Sequence, residues 1–450
     1  MQYYNGLITK KDYLRSRMVN VLSENMLQPA CGKGRQTTLV IGPSGSGKTW
    51  NYVVPNIRQM NGSYVVTCDN IERYKDTIEK LKENGYNVKI FNIADPENSE
   101  HYNFFDYLEN EENMDLFIRD VSRNLTECQL NTEDLENDSS QYFIKAAILV
   151  FCACIHYLKD YGKDWDKNLK GLYDLIMLAD QTDENGERSF DKLFNNISKE
   201  SMAYKYYNKL KETAEKNTLK SVFISVALSI QPMAIEQIQN ITSDDTLDLK
   251  SIRREKTALF IVLPSSDNSF QCLLTTLLIQ MVYVLEREKI EMIKEKEEWM
   301  PVFFMLDEFA NIGRILGIDT IIQNLYGHDS VALIVQDINQ IDRLYGKKRA
   351  EEIKNSCNTK LLLGNGCSNT MDTMSYIIDS IKPIARQKFK RTPPEYEVTS
   401  LISESQNERS VLDALKIRKM LTDNQCLIVC KDGTAILDSK YKPTKQREGV

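Results

Sequence analysis

One eight-residue segment constrains this chain of 450 residues more than any other feature. It matches the pattern GxxxxGK[ST], follows an apolar strand pattern at 38–42 and precedes a helical pattern near 50–60. In this context the pattern predicts a phosphate-binding loop, because its glycines let backbone N–H groups approach the phosphates of a nucleotide. We expect ATP to be bound by Gly42, Pro43, Ser44, Gly45, Ser46, Gly47, Lys48 and Thr49. Within this loop, Lys48 is expected to reach the β- and γ-phosphates and Thr49 to ligate Mg²⁺.

Apolar strand patterns alternate with helical patterns on both sides of the loop. Further strands are predicted at 63–67, 88–93, 258–263, 302–307, 331–336, 360–364, 425–430 and 434–438. Alternation of this kind predicts an α/β fold, in which helices connect the parallel strands of one sheet. The last two strands are separated by a turn at Gly433 and are expected to form a hairpin.

The strand pattern is interrupted between residues 107 and 249. Helical patterns occupy 114–125, 139–159, 169–179, 202–216 and 219–239, and acidic or polar runs separate them. The interruption is roughly 140 residues long, which is large enough for a domain of its own. We therefore expect a nucleotide-binding domain made from residues 1–106 and 250–450, and an all-helical insertion domain at 107–249.

Three polar residues that follow apolar strands are candidate catalytic residues, together with Lys48. Asp307 and Glu308 end an apolar run, which is the arrangement of a Walker B motif. Asp307 is expected to hold Mg²⁺, directly or through water, and Glu308 to act as the general base. Gln336 ends the strand at 331–336, where its amide would sense the γ-phosphate at the carboxyl edge of the sheet. Gln340 is a weaker candidate for the same role.

Composition excludes several other classes of protein. Hydrophobic residues make up 42% of the chain and charged residues 27%, which is typical of a globular protein rather than a disordered one. The net charge is 57 − 64 = −7, which argues against a generally basic nucleic-acid coat. The ten cysteines include no CxxC pair, so we expect reduced, buried thiols rather than a zinc site. The longest apolar run, 146–158, is shorter than the about 20 residues that span a bilayer, and is interpreted as a buried helix.

Four further segments occur in the order in which one known family carries them. The segment 306–312 reads LDEFANI and is similar to that family's LDEFANIG nearly letter for letter. The segment 54–57, VPNI, resembles its KPN(I/L), and the segment 102–104, YNF, resembles its YNP. Its series Q…NC…LG is matched between Gln336 and Gly364. On these motifs the chain resembles the coupling ATPases of type IV secretion and conjugation systems, the TraG/TraD-like family, over about residues 15 to 445.

This resemblance implies a RecA-like P-loop NTPase core that carries a large all-helical insertion. It also implies an ATPase that works as a ring, usually a hexamer, with nucleotide at the subunit interfaces and a central channel. Proteins of this family bring a relaxase bound to single-stranded DNA, or an effector protein, to a secretion channel. The expected partners are therefore a relaxase or protein substrate, single-stranded DNA, components of the type IV channel and further copies of the chain.

The sequence departs from the family pattern at three places. The family usually begins with transmembrane helices, whereas this chain begins where the soluble part would begin. We therefore expect either a removed segment or a separate membrane partner, and a cytoplasmic location at the inner face of the cell membrane. The family's DPKGE is replaced by CDNIE at 68–72, and its RSRG has no counterpart, since no arginine lies between Arg314 and Arg343. Arg314, Arg343 and Arg349 are candidate replacements for an arginine finger.

Two other interpretations stay open at the level of sequence. In the first, the chain is a docking adaptor of the same system, in which nucleotide binding orders the ring and hydrolysis is weak or absent. The altered segments favour this interpretation, and the intact Glu308 opposes it. In the second, the chain is a pump for double-stranded DNA, which the LDEFAN segment and the large insertion disfavour.

Overall fold

Twelve β-strands form two sheets in the part of the chain that the structure describes. The computed structural model describes residues 8–9, 19–29, 36–108, 114–128, 130, 137–184, 187–213, 216–264, 268–318, 321–322, 329–364, 376 and 421–442. The strands are β1 (Ile8–Thr9), β2 (Val19–Val21), β3 (Met26–Pro29), β4 (Gln36–Ile41), β5 (Ser63–Cys68), β6 (Asn87–Asn92), β7 (Thr257–Val262), β8 (Val302–Leu306), β9 (Ser330–Val335), β10 (Thr359–Leu363), β11 (Gln425–Cys430) and β12 (Ala435–Ser439). All the predicted strands are present within about two residues of their predicted bounds, the usual uncertainty at the end of an element.

The larger sheet has nine strands in the order β12-β11-β10-β4-β9-β8-β5-β7-β6. The seven strands from β10 to β6 are parallel, and the predicted hairpin of β11 and β12 extends the sheet with antiparallel pairs. β9 lies between β4, which leads into the phosphate loop, and β8, which leads into the acidic pair. Because parallel strands end at the same edge of a sheet, the ends of β4, β8 and β9 come together there.

The α-helices connect these strands and cover the sheet. They are α1 (Val54–Ile57), α2 (Lys75–Glu83), α3 (Met114–Glu127), α4 (Asp138–Tyr161), α5 (Leu169–Met177), α6 (Ser189–Asn195), α7 (Met202–Thr213), α8 (Lys216–Ile230), α9 (Glu236–Ile241), α10 (Ser251–Arg254), α11 (Gln271–Glu295), α12 (Asn339–Tyr345) and α13 (Lys347–Ser356). The helix predicted at 219–239 is broken after Ile230, because Pro232 has no N–H to continue it. Helices α6, α10, α12 and α13 were not predicted.

The chain between β6 and β7 is helical in its described part, apart from turns and one isolated bridge between Thr182 and Arg188. Its longest helix, α4, has 24 residues and packs against α3, α7 and α8. By length and composition, α4 is the one described helix that could cross a membrane, but 61% of its most apolar window is buried inside the protein. Burial of this extent is the property of a core helix and agrees with the prediction for 146–158.

One apolar core continues from the sheet into this helical segment. It contains Leu39 of β4, Phe104, Val150 of α4 and Leu277 of α11, each of them almost fully buried. A second core on the other face of the sheet contains alternate residues of the same strands, such as Val40. The sheet is therefore buried on both faces, as is typical of parallel sheets.

The smaller sheet, which the sequence analysis did not predict, consists of β3 paired with β1 and β2 in antiparallel fashion. The Val21 N–H donates to the side-chain oxygen of Asn56 in α1 at 2.7 Å. The Glu24 N–H donates to the carbonyl oxygen of Ser439, the last residue of β12, at 3.0 Å. This part of the chain therefore links the first helix to the last strand.

The prediction of reduced cysteines is wrong for one pair. The structure joins Cys128 and Cys272 in a disulfide, although 144 residues separate them in the sequence. The pairing depends on the packing of the end of α3 against the start of α11, which sequence spacing does not show. The other described cysteines are buried free thiols, as predicted: Cys68, Cys152, Cys154, Cys357, Cys426 and Cys430. Cys31, Cys367 and the polar segment 387–410 lie outside the described residues.

Candidate nucleotide site

The phosphate loop begins directly after β4 and requires glycine at two positions. Gly45 and Gly47 have φ angles of 78° and 90°, in a region that residues with a Cβ atom seldom occupy. The path of the loop therefore depends on both glycines, in agreement with the sequence pattern.

Lys48 lies against the loop that contains it. It is 6% exposed, and its ammonium donates to the carbonyl oxygens of Gly42 at 2.8 Å and Pro43 at 3.3 Å. Both acceptors are backbone groups of the loop. The charge of Lys48 is thus held where the motif is expected to bind phosphates.

Asp307 follows β8 and faces the phosphate loop. Its Oδ2 atom accepts a hydrogen bond from the Thr49 hydroxyl at 3.0 Å and a longer one from the Tyr74 hydroxyl at 3.5 Å. The Thr67 hydroxyl, from the neighbouring β5, donates to the Asp307 carbonyl oxygen at 2.6 Å and so fixes the backbone there. Hydroxyl and carboxylate oxygens are ligands that Mg²⁺ takes together with water and substrate phosphates, so Thr49 and Asp307 fit the metal that the sequence predicts.

Burial, followed by repulsion from the Glu308 carboxylate, raises the pKa of Asp307 to about 6. The Thr49 hydroxyl and the charge of Lys48 favour the ionised form and limit this rise. The carboxylate is therefore mostly ionised at neutral pH, which is the form that can ligate a cation.

Glu308 and Gln336 contact each other directly. The Gln336 Nε2 atom donates to the Glu308 Oε2 atom at 2.9 Å, across the boundary between β8 and β9. The Gln340 side-chain oxygen accepts from the backbone N–H groups of Gln336 at 2.8 Å and Asp337 at 3.2 Å. Gln340 therefore holds the turn after β9, whereas the side chain of Gln336 reaches the acidic pair.

The candidate arginines lie in different surroundings. Arg314 is 4% exposed and pairs with Glu127 of α3, with the Nη2 and Oε2 atoms 3.1 Å apart. This buried pair holds Arg314 inside its own chain, where its guanidinium is not available to a neighbouring copy. Arg343 and Arg349 are exposed on α12 and α13. Trp50, which follows the loop, is 46% exposed.

Two residues of the site, Thr67 and Tyr74, were not predicted from the sequence. Thr67 ends an apolar strand, a signal also carried by Gln336, but its role depends on β5 lying next to β8. Tyr74 lies between two helical turns and is almost fully buried. A buried tyrosine is ordinary in sequence, so only the fold brings its hydroxyl to Asp307.

A sequence model of the family described as "Type IV secretory system Conjugative DNA transfer" matches residues 5–447. The chain belongs to this family. Membership in the type IV conjugative DNA transfer family confirms the resemblance that the LDEFANI segment indicates.

Two relatives of this chain are proteins named VirD4. The VirD4 protein of Rhizobium radiobacter is 24% identical over 411 residues, which cover 88% of this chain and 55% of the relative. The VirD4 protein of Agrobacterium fabrum is 23% identical over 409 residues, which cover 88% of this chain and 56% of the relative. The chain thus spans about half the length of these relatives.

Solved structures similar to this one include TrwB, a conjugative coupling protein, and VirB4. TrwB in complex with the ATP analogue ADPNP has a TM-score of 0.62 at 14% identity, over 99% of this chain and 95% of that chain. TrwBdeltaN70 in complex with sulphate has a TM-score of 0.60 at 14% identity, over 92% of this chain and 87% of that chain. VirB4 of Thermoanaerobacter pseudethanolicus has a TM-score of 0.52 at 11% identity, over 96% of this chain and 98% of that chain. The likeness confirms the predicted fold class, a RecA-like P-loop core with a helical segment.

Proposed function

We propose that the chain is the motor ATPase of a type IV conjugative transfer system. The observation that carries this proposal is the convergence of Thr49, Asp307, Glu308 and Gln336 at one edge of the parallel sheet, where each is hydrogen-bonded to another member of the group. Motifs that are far apart in the sequence thus form one site with the groups that ATP hydrolysis requires.

In this proposal each residue keeps the role that its chemistry suggests. Lys48 binds the β- and γ-phosphates, and the oxygens of Thr49 and Asp307 hold Mg²⁺, which neutralises charge on the phosphates. The Glu308 carboxylate accepts a proton from the attacking water. Gln336 donates to that same carboxylate, so a shift of its amide toward the γ-phosphate would release Glu308 for catalysis.

We further propose that hydrolysis moves a relaxase linked to single-stranded DNA, or a protein substrate, toward a type IV channel. Membership in the conjugative DNA transfer family supports this assignment. In the same proposal the chain forms a ring, usually a hexamer, at the inner face of the cell membrane and contacts channel components. The helical segment 107–249 is then the domain that meets the substrate, and residues 1–106 and 250–450 form the motor domain.

The test compares ATP binding, ATP turnover and substrate transfer among three variants. Lys48→Ala is expected to lose ATP binding, whereas Glu308→Gln should still bind ATP but turn it over about 10²- to 10⁴-fold more slowly, as expected for loss of a general base. Glu79→Gln, at an exposed position on α2, is the matched control and should behave as wild type. Unchanged turnover and transfer in both site variants would show that the proposal is wrong.

A docking adaptor with weak or absent hydrolysis is the second candidate, and the buried Arg314–Glu127 pair favours it. The same pair removes one candidate arginine finger, a group worth about 10³- to 10⁵-fold in rate. ATP turnover measured with and without single-stranded DNA separates the two functions. Sustained turnover that DNA stimulates would exclude the adaptor, and binding without turnover would favour it.

A further inference from the structure

A second lysine approaches the phosphate loop from the carboxyl-terminal part of the chain. β12 is antiparallel to β11, which is antiparallel to β10, so β12 runs in the direction of β4 and ends at the same edge. Lys440 is the first residue after β12. Its ammonium donates to the carbonyl oxygen of Ser46, inside the loop, at 2.8 Å. The fold therefore brings Lys440 to the loop across 394 residues of sequence.

The surroundings of Lys440 are unusual for an ammonium group. The residue is 7% exposed. Gly364, at the end of β10, lies beside the ammonium, since a Cβ atom there would be in van der Waals contact with the Nζ atom of Lys440 at 3.5 Å. Within the described residues Lys440 has no ion pair. The Asp423 carboxylate attracts its positive charge, but from beyond the distance of an ion pair. A buried charge of this kind is stabilised by a nearby anion.

Lys440 is bonded to the loop in the same way as Lys48. Both lysines are buried, and both donate to backbone carbonyl groups of the same eight-residue loop. Two ammonium groups on one loop produce a positive potential that neither produces alone. The ligand that matches such a site is a polyanion with closely spaced charges, and a triphosphate has this chemistry.

The end of β12 is hydrogen-bonded to the turn between β2 and β3 of the smaller sheet. The Asp438 carboxylate accepts hydrogen bonds from Ser23 and from the Asn25 backbone and side chain, the last two at 3.0 and 2.9 Å. The same part of the chain is bonded to Asn56, in the helix that follows the phosphate loop. The strand that precedes Lys440 and the helix that follows the loop are thus both bonded to residues 21–25, which places Lys440 next to the loop.

We propose that Lys440 is a second phosphate-binding lysine, whose ammonium supplies positive charge to the phosphates of a nucleoside triphosphate held by residues 42–49. This inference rests on the proposed function, because it requires that the loop binds ATP. It adds a residue from the last strand of the sheet to a site otherwise made from the phosphate loop and the ends of β8 and β9.

The test measures the affinity of the full chain for ATP with Mg²⁺ by calorimetry in three variants of Lys440. Lys440→Met is expected to weaken binding about tenfold or more, as for loss of one charge-assisted contact. Lys440→Arg should retain most of the affinity. Lys440→Gln keeps a hydrogen-bond donor for Ser46 but has no charge, so it should bind as weakly as Lys440→Met. Raising the salt concentration should weaken wild type more than either neutral variant.

Lys431→Met, at an exposed lysine in the turn between β11 and β12, is the matched control and should bind ATP as wild type does. Wild-type affinity in Lys440→Gln would overturn the proposal, because Lys440 would then act only by holding the loop. If Lys440→Met fails to fold, the affinities of Lys440→Gln and Lys440→Arg for ATP still test the proposal, because only the second variant keeps the positive charge. Absence of ATP binding by wild type would instead refute the proposed function, together with this inference.

Discussion

Glu308 adopts a backbone conformation that is unusual for its residue type. Its φ and ψ angles are 50° and 44°, in the left-handed region, which costs a residue with a Cβ atom about 1–2 kcal/mol. Two hydrogen bonds offset this cost: the Glu308 N–H donates to the Asp307 carboxylate at 3.0 Å, and Gln336 donates to the Glu308 side chain. The strained turn directs the two neighbouring carboxylates to different partners, Asp307 to Thr49 and Glu308 to Gln336.

Asp245 provides a test of charge at a single half-buried residue. Burial raises the pKa of Asp245 to about 6, although the Tyr107 hydroxyl donates to its carboxylate. In an unfolded chain the value is about 4. The folded protein therefore binds this proton more tightly, and the contribution of Asp245 to stability is lost as the pH rises from about 4 to about 6. We expect Asp245→Asn to raise the free energy of unfolding at pH about 7.5 by roughly 1–2 kcal/mol, and to change it little near pH 4.

Asp244→Asn, at the neighbouring residue, is the control, because the effect of pH on its contribution to stability has the opposite sign. The hydrogen bond from His101 lowers the pKa of Asp244, so its stabilising effect is present at neutral pH and is lost as the pH falls. Denaturant unfolding of both variants across this pH range checks the prediction. If the free energy of unfolding depends on pH in the same way for Asp245→Asn and wild type, the prediction is wrong.

The residues of the site differ in how far the sequence alone predicts them. Lys48 and Thr49 belong to one continuous loop, and Asp307 and Glu308 end one strand, so their spacing is local and can be read directly. Contacts between segments cannot be read in this way, because they depend on which strands become neighbours. Thr67, for example, reaches Asp307 only because β5 pairs with β8.

At the level of elements, long strands were predictable and the smaller sheet was not. The central strands have five or six residues, almost all buried, and produce apolar runs that the sequence shows clearly. β2 and β3 have three and four residues, too few to give a clear alternation. Their position depends on hydrogen bonds to Asn56 and β12 rather than on their own pattern.

Asn56 in α1 is expected to stabilise the attachment of the smaller sheet. It is 2% exposed, and its side chain bonds both the N–H and the C=O of Val21 as well as the carbonyl of Tyr52. Asn56→Ala leaves these backbone groups buried and unpaired, so we expect the free energy of unfolding to fall by about 2–4 kcal/mol. Urea unfolding measures this change.

The matched control for Asn56 is Asn84→Ala, at the exposed end of α2. The Asn84 side chain makes one hydrogen bond, to the carbonyl of Lys80, in a place that water reaches. We expect Asn84→Ala to lower the free energy of unfolding by less than about 0.5 kcal/mol. If the free energy of unfolding falls by a similar amount in the two variants, the side chain of Asn56 does not stabilise the attachment of the smaller sheet.

At the scale of the whole molecule, buried hydrogen bonds join the helical segment to α11, the helix that follows β7. The Asn124 side chain of α3 donates to the carbonyl oxygen of Cys272 and to the hydroxyl groups of Thr275 and Thr276 in α11, at 2.8–3.1 Å. The Tyr102 hydroxyl bonds Gln280 of the same helix. Polar contacts inside a shared apolar core fix one arrangement of the helices against the sheet.

This shared core predicts that the helical segment and the sheet unfold together. Because the apolar core runs without a break from β4 to α4 and α11, separating the two parts would expose apolar surface on both. We expect peptides from α4 and from β9 to lose protection from hydrogen exchange at the same urea concentration. ATP with Mg²⁺ should raise both midpoints equally, although it would bind only at the sheet edge. Protection of α4 that persists after β9 has unfolded would show instead that residues 107–249 fold as an independent domain.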